Sequence, residues 1–166
     1  PQVCGITTFG SSGLTLPSGP TEFRGGRGRG VFGSGNTPSD TRRIDMIEIA
    51  TRGNATDFGD DSIDGRGEGN ASFASATRGL FCGGYSTGDG AVSNISYMII
   101  SSSGGVNDFG DLTGARRSNA GASNNVRGLS FGGYDGSNSL NTIEFVTIAT
   151  TGNGNDFGDL TEKVYN

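Results

Sequence analysis

An all-β protein of three repeated antiparallel units is what this sequence predicts, and three observations carry the prediction. The strings Arg29-Gly30-Val31-Phe32-Gly33, Arg78-Gly79-Leu80-Phe81-Cys82-Gly83-Gly84-Tyr85 and Arg127-Gly128-Leu129-Ser130-Phe131-Gly132-Gly133-Tyr134 begin 49 residues apart. Each is answered downstream by Asp-Phe-Gly-Asp, starting at Asp57, Asp108 and Asp156. Short segments of β-formers alternate with turn residues roughly every 12 residues, and no window sustains helical periodicity. A fixed period of this size marks supersecondary units that each fail to bury their apolar face alone. The expected organisation is one repeat domain over residues 1–166: an amino-terminal segment 1–28, then repeats 29–77, 78–126 and 127–166.

Each unit reads as four strands. A small-residue run, Ala71-Ser72-Phe73-Ala74-Ser75-Ala76 or Ser118-Asn119-Ala120-Gly121-Ala122-Ser123, suits a strand lying where space is tight. The Arg-Gly strand follows and ends, in the second and third units, at Gly83-Gly84 and Gly132-Gly133, where two residues without Cβ let the chain turn sharply and a neighbour approach closely. The first unit is eroded there, with Gly33-Ser34-Gly35. Polar turns come next, dense in residues that tolerate positive φ.

The third strand is the most regular: Ile44-Asp45-Met46-Ile47-Glu48-Ile49, Ile95-Ser96-Tyr97-Met98-Ile99-Ile100 and Ile143-Glu144-Phe145-Val146-Thr147-Ile148. Positions one and three share one face of a strand and positions four and six the other, so both faces are expected to be partly buried between neighbouring sheets. The fourth strand carries Asp-Phe-Gly-Asp, whose Phe58, Phe109 and Phe157 are the expected packing anchors. In the amino-terminal segment, Thr8-Phe9-Gly10-Ser11-Ser12-Gly13-Leu14-Thr15 echoes that fourth strand. It reads as an extra strand capping a sheet edge or adding to another chain, or else as a coil packed on the first unit.

Residues 128–144, Gly-Leu-Ser-Phe-Gly-Gly-Tyr-Asp-Gly-Ser-Asn-Ser-Leu-Asn-Thr-Ile-Glu, resemble the kelch repeat, and the Arg116-Arg117 pair is similar to the Arg that opens many kelch units. The family's Trp in the fourth strand is replaced here by the Phe of Asp-Phe-Gly-Asp. The resemblance covers residues 29–161 and is strongest in the last two copies. The wording Arg-Gly-Val/Leu-Phe with Asn-Ala-Thr-Asp-Phe-Gly-Asp also resembles kelch-like repeats in virion structural proteins of tailed phages, notably those of marine cyanobacteria. The kelch resemblance implies propeller-like blades, and a propeller needs about four to eight of them. Three blades would be completed by further chains, two chains giving six. A closed three-fold β-prism or β-trefoil is the alternative fold.

Composition narrows function. The chain has 32 Gly, 31% hydrophobic residues, no Trp, no His and a formal charge of -5, with eleven of its twelve basic residues Arg. An acidic balance argues against general attraction to nucleic acid or anionic membrane, and no apolar stretch approaches the roughly 20 residues of a membrane helix. No signal peptide is read, Pro1 suits a first residue after loss of an initiator Met, and synthesis in a reducing cytoplasm is expected. Sequons at Asn54, Asn70 and Asn94 then carry no meaning. Cys4 and Cys82 form no disulfide framework, and Cys82 reads as a small buried side chain.

Without His, the common nucleophilic triads and zinc sites fall away, and carboxylate pairs repeated in all three units suit turn capping better than one catalytic pair. No catalytic residue, no metal and no cofactor are assigned. Gly28-Arg29-Gly30-Val31-Phe32-Gly33 has dinucleotide-motif spelling but leads into a strand. Arg24-Gly25-Gly26-Arg27-Gly28-Arg29 is similar to an RNA-binding Arg-Gly box, yet it is short and suits structural or acidic-partner contacts. Asp57, Asp60, Asp61 and Asp64 are crowded enough to suggest a hard cation such as calcium, at a spacing that matches no known loop.

The recurring Arg29, Arg78 and Arg127 are expected to pair with carboxylates of an adjacent unit or with strand-end carbonyls, setting register between units. The turns at residues 35–42, 86–93 and 135–141 are the expected contact surface, with Tyr85, Asp89, Tyr134, Asp135 and Asn138 as candidate binding residues. The resemblance to virion proteins implies a non-enzymatic virion component: a decoration, knob or fibre-associated protein that forms homo-oligomers and meets other virion proteins. A carbohydrate-binding module, with Tyr85 and Tyr134 stacking on sugar rings, and a self-assembling extracellular filament are the rivals.

Overall fold

The computed structural model describes residues 28–36, 40–63, 66 and 69–165. The Thr8 to Thr15 echo, Cys4, residues 24–27 of the Arg-Gly run, residues 37–39 of the first turn and Asp64 lie outside the described residues. Among the described residues there is no helix, and all strand pairing is antiparallel.

Three open sheets follow one another along the chain. Sheet 1 orders β1 (Arg29–Asn36), β2 (Asp40–Glu48) and β3 (Thr56–Asp60) as β1-β2-β3. Sheet 2 runs β4 (Ala71–Ala74), β5 (Arg78–Cys82), β7 (Gly90–Ile99), β8 (Asn107–Arg116), with the two-residue β6 (Tyr85–Ser86) folded onto the start of β7. Sheet 3 repeats that meander as β9 (Ala120–Ser123), β10 (Arg127–Phe131), β11 (Leu140–Thr147), β12 (Asn155–Val164). The small-residue strands β4 and β9 pair with the strands that follow them, so the hydrogen-bonded sheets span 29–60, 71–116 and 120–164, offset from repeat boundaries drawn at the arginines.

Register repeats as faithfully as sequence. Val31 faces Met46, Leu80 faces Tyr97 and Leu129 faces Phe145. All three units carry a bulge at the same place, between Ile44 and Asp45, Ile95 and Ser96, Ile143 and Glu144. A bulge leaves one residue of the ladder unpaired. That residue is the Phe of Asp-Phe-Gly-Asp in each case, since pairing skips from Asp57 to Gly59, Asp108 to Gly110 and Asp156 to Gly158.

The sheets stack in a row, and the middle one is covered on both faces as the strand pattern expects. Met98 and Phe81 pack with Ile44 and Phe58 of sheet 1. On the other face, Ile95, Leu80, Cys82 and Phe109 pack with Val146 and Ile148 of sheet 3. Neither apolar cluster joins sheet 1 to sheet 3, so the described residues form no closed three-fold arrangement. Sheets 2 and 3 also meet at β4 and β9, where the Ser123 hydroxyl donates to the Ala74 carbonyl at 2.9 Å. Gly121 of β9 permits that approach, since a Cβ there would stand 3.0 Å from the Ser72 carbonyl oxygen.

Backbone bonds fix each junction. The bulged Phe58 and its neighbour Asp60 offer carbonyls to the N–H of Gly104 (2.6 Å) and Val106 (3.1 Å) in sheet 2. Phe109 and Asp111 offer theirs to Gly152 (2.8 Å) and Gly154 (2.7 Å) in sheet 3. Arg29 donates to the Ile100 carbonyl at 2.9 Å, and Arg78 to the Ile148 carbonyl at 3.0 Å. Strand-end carbonyls thus receive both arginines; the carboxylate that Arg29 also holds, Glu48 at 2.8 Å, belongs to its own unit.

The expected burial of the anchor phenylalanines is met in two units. Phe58 and Phe109 are each 2% exposed, whereas Phe157 is 52% exposed, because among the described residues no following sheet covers it.

Candidate functional site

The glycine pairs build the turn end. Gly83 and Gly84 have φ of 67° and 111°, Gly132 and Gly133 of 67° and 103°, a region that favours residues without Cβ. A Cβ at Gly83 would lie 2.6 Å from the Arg116 carbonyl oxygen, and one at Gly133 2.8 Å from that of Arg117. These turns bring Tyr85 and Tyr134 to the same end of adjacent sheets.

Arg117 joins them. Its backbone exchanges two bonds with Tyr134, at 3.0 and 2.8 Å. Its guanidinium carbon stands 4.9 Å from the centre of the Tyr85 ring and 5.7 Å from that of Tyr134. Tyr165 completes the group, its ring centre 5.3 Å from that of Tyr134. Arg117, Ser118, Tyr134 and Tyr165 line an open depression of about 360 Å³. Ser118 holds φ at 54°, an uncommon conformation for a non-glycine residue.

The chemistry this arrangement offers is stacking plus hydrogen bonding. Tyrosine faces accept flat, weakly polar rings, and a guanidinium between two rings presents a fork of donors. The acidic candidates lie elsewhere on the turns. Asp135 is exposed, and its carboxylate accepts the N–H groups of Ser137 and Asn138, each at 2.7 Å, which hold it below the usual carboxylate range. Asp89 accepts the Ser86 hydroxyl at 3.4 Å. Asn138 takes part through its backbone. The structure therefore unites Tyr85 and Tyr134, while Asp135 closes its own turn.

Two buried cations sit behind this end. Arg66 donates to the Phe81 carbonyl and the Ser96 hydroxyl, both at 2.9 Å, and lies 3.4 Å from the Asp61 carboxylate. Burial lowers its pKa, and Asp61 opposes that shift. Arg116 is paired with Glu144, whose second oxygen accepts the Thr113 N–H at 2.7 Å. Asp61 is buried while Asp57 and Asp60 are exposed, so the three described members of the acidic cluster face different surroundings. Among the described residues no group of acidic, Cys or His side chains converges on a metal position. Burial pushes the Cys82 thiol up, which leaves it protonated and unreactive.

Arg117, Ser118 and Tyr165 were not among the residues that sequence reasoning assigned to the turn surface. Arg117 carried a signal as half of the Arg116-Arg117 pair; Tyr165, one residue from the end of the sequence, carried none. Compared with known proteins, the chain matches no family model and no curated protein. No helix among the described residues is long and apolar enough to cross a membrane.

Proposed function

We propose that the protein is a non-enzymatic structural scaffold, a decoration, knob or fibre-associated component of a tailed-phage virion, whose units are kelch-like blades in propeller-type stacking. It is synthesised in the host cytoplasm and carried on the particle, with other virion proteins and further copies of itself as partners.

The observation that carries the scaffold reading is the repetition of one junction: the same bulge, the same pair of backbone bonds and the same arginine-to-carbonyl bond join sheet 1 to sheet 2 and sheet 2 to sheet 3. Polar side chains that recur are committed to turns and junctions, which leaves the surface for contact rather than turnover. Placement on a virion is supported by the wording of the repeats. Immunogold microscopy of lysates containing the protein tests it: label on intact particles is expected, and protein confined to the particle-free fraction rejects the placement.

A second reading is carbohydrate binding at the turn end, favoured by the depression between Arg117, Tyr134 and Tyr165. Glycan-array binding lost on Tyr134→Ala, with the circular dichroism spectrum intact, would support it. An array without signal removes it.

A further inference from the structure

The two ends of the row of sheets are unlike, and each matches one side of a junction that the chain already contains. The outward face of sheet 1 carries Phe32, 59% exposed, and Ile49, 68% exposed. One period on, Phe81 and Ile100 hold the same positions, and they are 7% and 9% exposed on the face turned to sheet 1. The outward face of sheet 3 carries the open Phe157 ring, 6.2 Å from Phe145. Its counterpart Phe109 is buried under sheet 3.

The hydrogen-bonding apparatus is equally divided. Arg127 occupies the place of Arg29 and Arg78, yet among the described residues its guanidinium lies over the Phe145 ring and reaches no strand-end carbonyl. Ile49 occupies the place of Ile100 and Ile148, and its carbonyl receives no arginine among the described residues. The Asp156-to-Asp159 bulge is formed as in the other two units, and among the described residues its Phe157 and Asp159 carbonyls receive no donor from a following sheet. A Cβ at Gly59 would meet the Gly104 backbone at 2.4 Å and one at Gly110 the Gly152 carbonyl oxygen at 2.6 Å, whereas Gly158, with the same φ near 140°, faces open space.

We propose that sheet 3 of one copy docks head to tail on sheet 1 of the next, in the geometry of the two internal junctions. Arg127 then donates to the Ile49 carbonyl of the next copy, and the N–H groups of Gly53 and Ala55 of the next copy donate to the carbonyls of Phe157 and Asp159. A second copy is the occupant because this chain supplies both halves, at the same repeat positions that already fit one another twice. There is room for it. In sheet 2 the Phe73 ring reaches across to Gly128; its counterpart in sheet 3 is Ala122, which borders an open depression of about 390 Å³ with Leu129 and Phe157. Ala122 then faces Gly30 of the next copy, and Phe32 of the next copy, at the place of Phe81, packs on Phe131, which holds the place of Gly33.

The contact is heterologous, so its two sides differ and it propagates into a ring or a filament. It deepens the self-assembly expected of the scaffold and rests on that part of the reading alone; loss of the particle or glycan assignment would leave the measurement below unchanged.

The test uses the full chain with Cys4→Ser. Sedimentation should give a mass that is a multiple of 16.9 kDa. Ala55→Cys and Asp159→Cys should be bridged by a short bis-maleimide when the two variants are mixed, and neither should bridge with itself. Ile49→Lys and Phe157→Asp, both at exposed positions, should each weaken association at least roughly tenfold while leaving the melting temperature of the separated chain in place. A monomer at every concentration up to about 1 mM, bridging within a single variant, or association indifferent to Ile49→Lys would each overturn the proposal.

Discussion

The first and second junctions share their backbone bonds and differ in what fills them. Between sheets 1 and 2 the bulk comes from β5: the Phe81 ring sits over Gly33, where a Cβ would stand 2.4 Å from it. Between sheets 2 and 3 the bulk comes from β4: the Phe73 ring sits over Gly128, where a Cβ would stand 1.9 Å away, and Ser130 holds the place of Phe81. The buried arginines differ as well. Arg66 meets the neutral Ser96 of the next unit and takes its carboxylate from Asp61. Arg116 meets Glu144, at the repeat position of Ser96, in the next unit itself. Stacking is thus set by the carbonyls of the bulge and by the arginines, while the ring that fills the gap comes from a different strand in each internal junction and in both faces a glycine.

The largest expected effect lies at the charged half of this contrast. Arg116→Met leaves Glu144 buried without its cation and should cost about 3–5 kcal/mol in chemical denaturation. Adding Glu144→Gln, which keeps an acceptor for the Thr113 N–H, should recover most of the loss. A cost below about 1 kcal/mol for Arg116→Met would mean that the second junction does not depend on the pair.

Next comes the fit of ring to glycine. Gly128→Val should cost about 1–3 kcal/mol by overpacking, and in a cycle with Phe73→Ala the two costs should fall short of additivity by about 1 kcal/mol or more. Gly33→Val with Phe81→Ala should behave alike. The crossed pair, Gly128→Val with Phe81→Ala, should be additive, because these residues fill different junctions. Additive costs in all three cycles would break the comparison.

Much of this frame was legible in the sequence, and the residues show why. Comparing the chain with itself exposes what every unit requires, so the order of strands, the two buried faces of Ile95 to Ile100 and the anchoring role of Phe58 and Phe109 could be read from the period. The arginine bonds to Ile100 and Ile148 were within reach because a donor repeated at a strand start needs an acceptor repeated as often. What the period hides is compensation between unlike positions. Phe81 on Gly33 and Phe73 on Gly128 are matched across sheets, at places where the copies disagree. The same limit applies at the turn end: Arg116 and Arg117 are adjacent and chemically identical, yet strand alternation sends one inward to Glu144 and the other out to Tyr85 and Tyr134. Asp61 looked like one acid among several until Arg66 placed it in the interior.

A comparable effect separates arginines that are joined from the one that is not. Arg29→Gln and Arg78→Gln each remove a charge-assisted bond to a carbonyl and should cost about 1.5–3 kcal/mol in the separated chain. Arg127→Gln should stay within about 0.5 kcal/mol there, since it loses only an exposed contact with Phe145. Equal costs at all three positions would show that the bonds to Ile100 and Ile148 add little to the junctions.

The smallest effect distinguishes the turn of the third unit from that of the second. The Asp135 carboxyl is held down in the folded state by the N–H groups of Asn138 and Ser137, so the order it gives the turn is present above the pKa of the unfolded chain and is lost as pH falls through the lower folded value. Asp89 accepts the Ser86 hydroxyl. Acid titration followed by NMR should therefore show the amides of Ser137 and Asn138 moving together at a pH below the usual aspartate value of about 3.9, and Asp135→Asn should remove that titration while the Tyr134 and Tyr165 ring signals stay in place. If Asp135 titrates at or above the ordinary value, its carboxylate is not closing the turn, and it becomes available as an acceptor beside Tyr134.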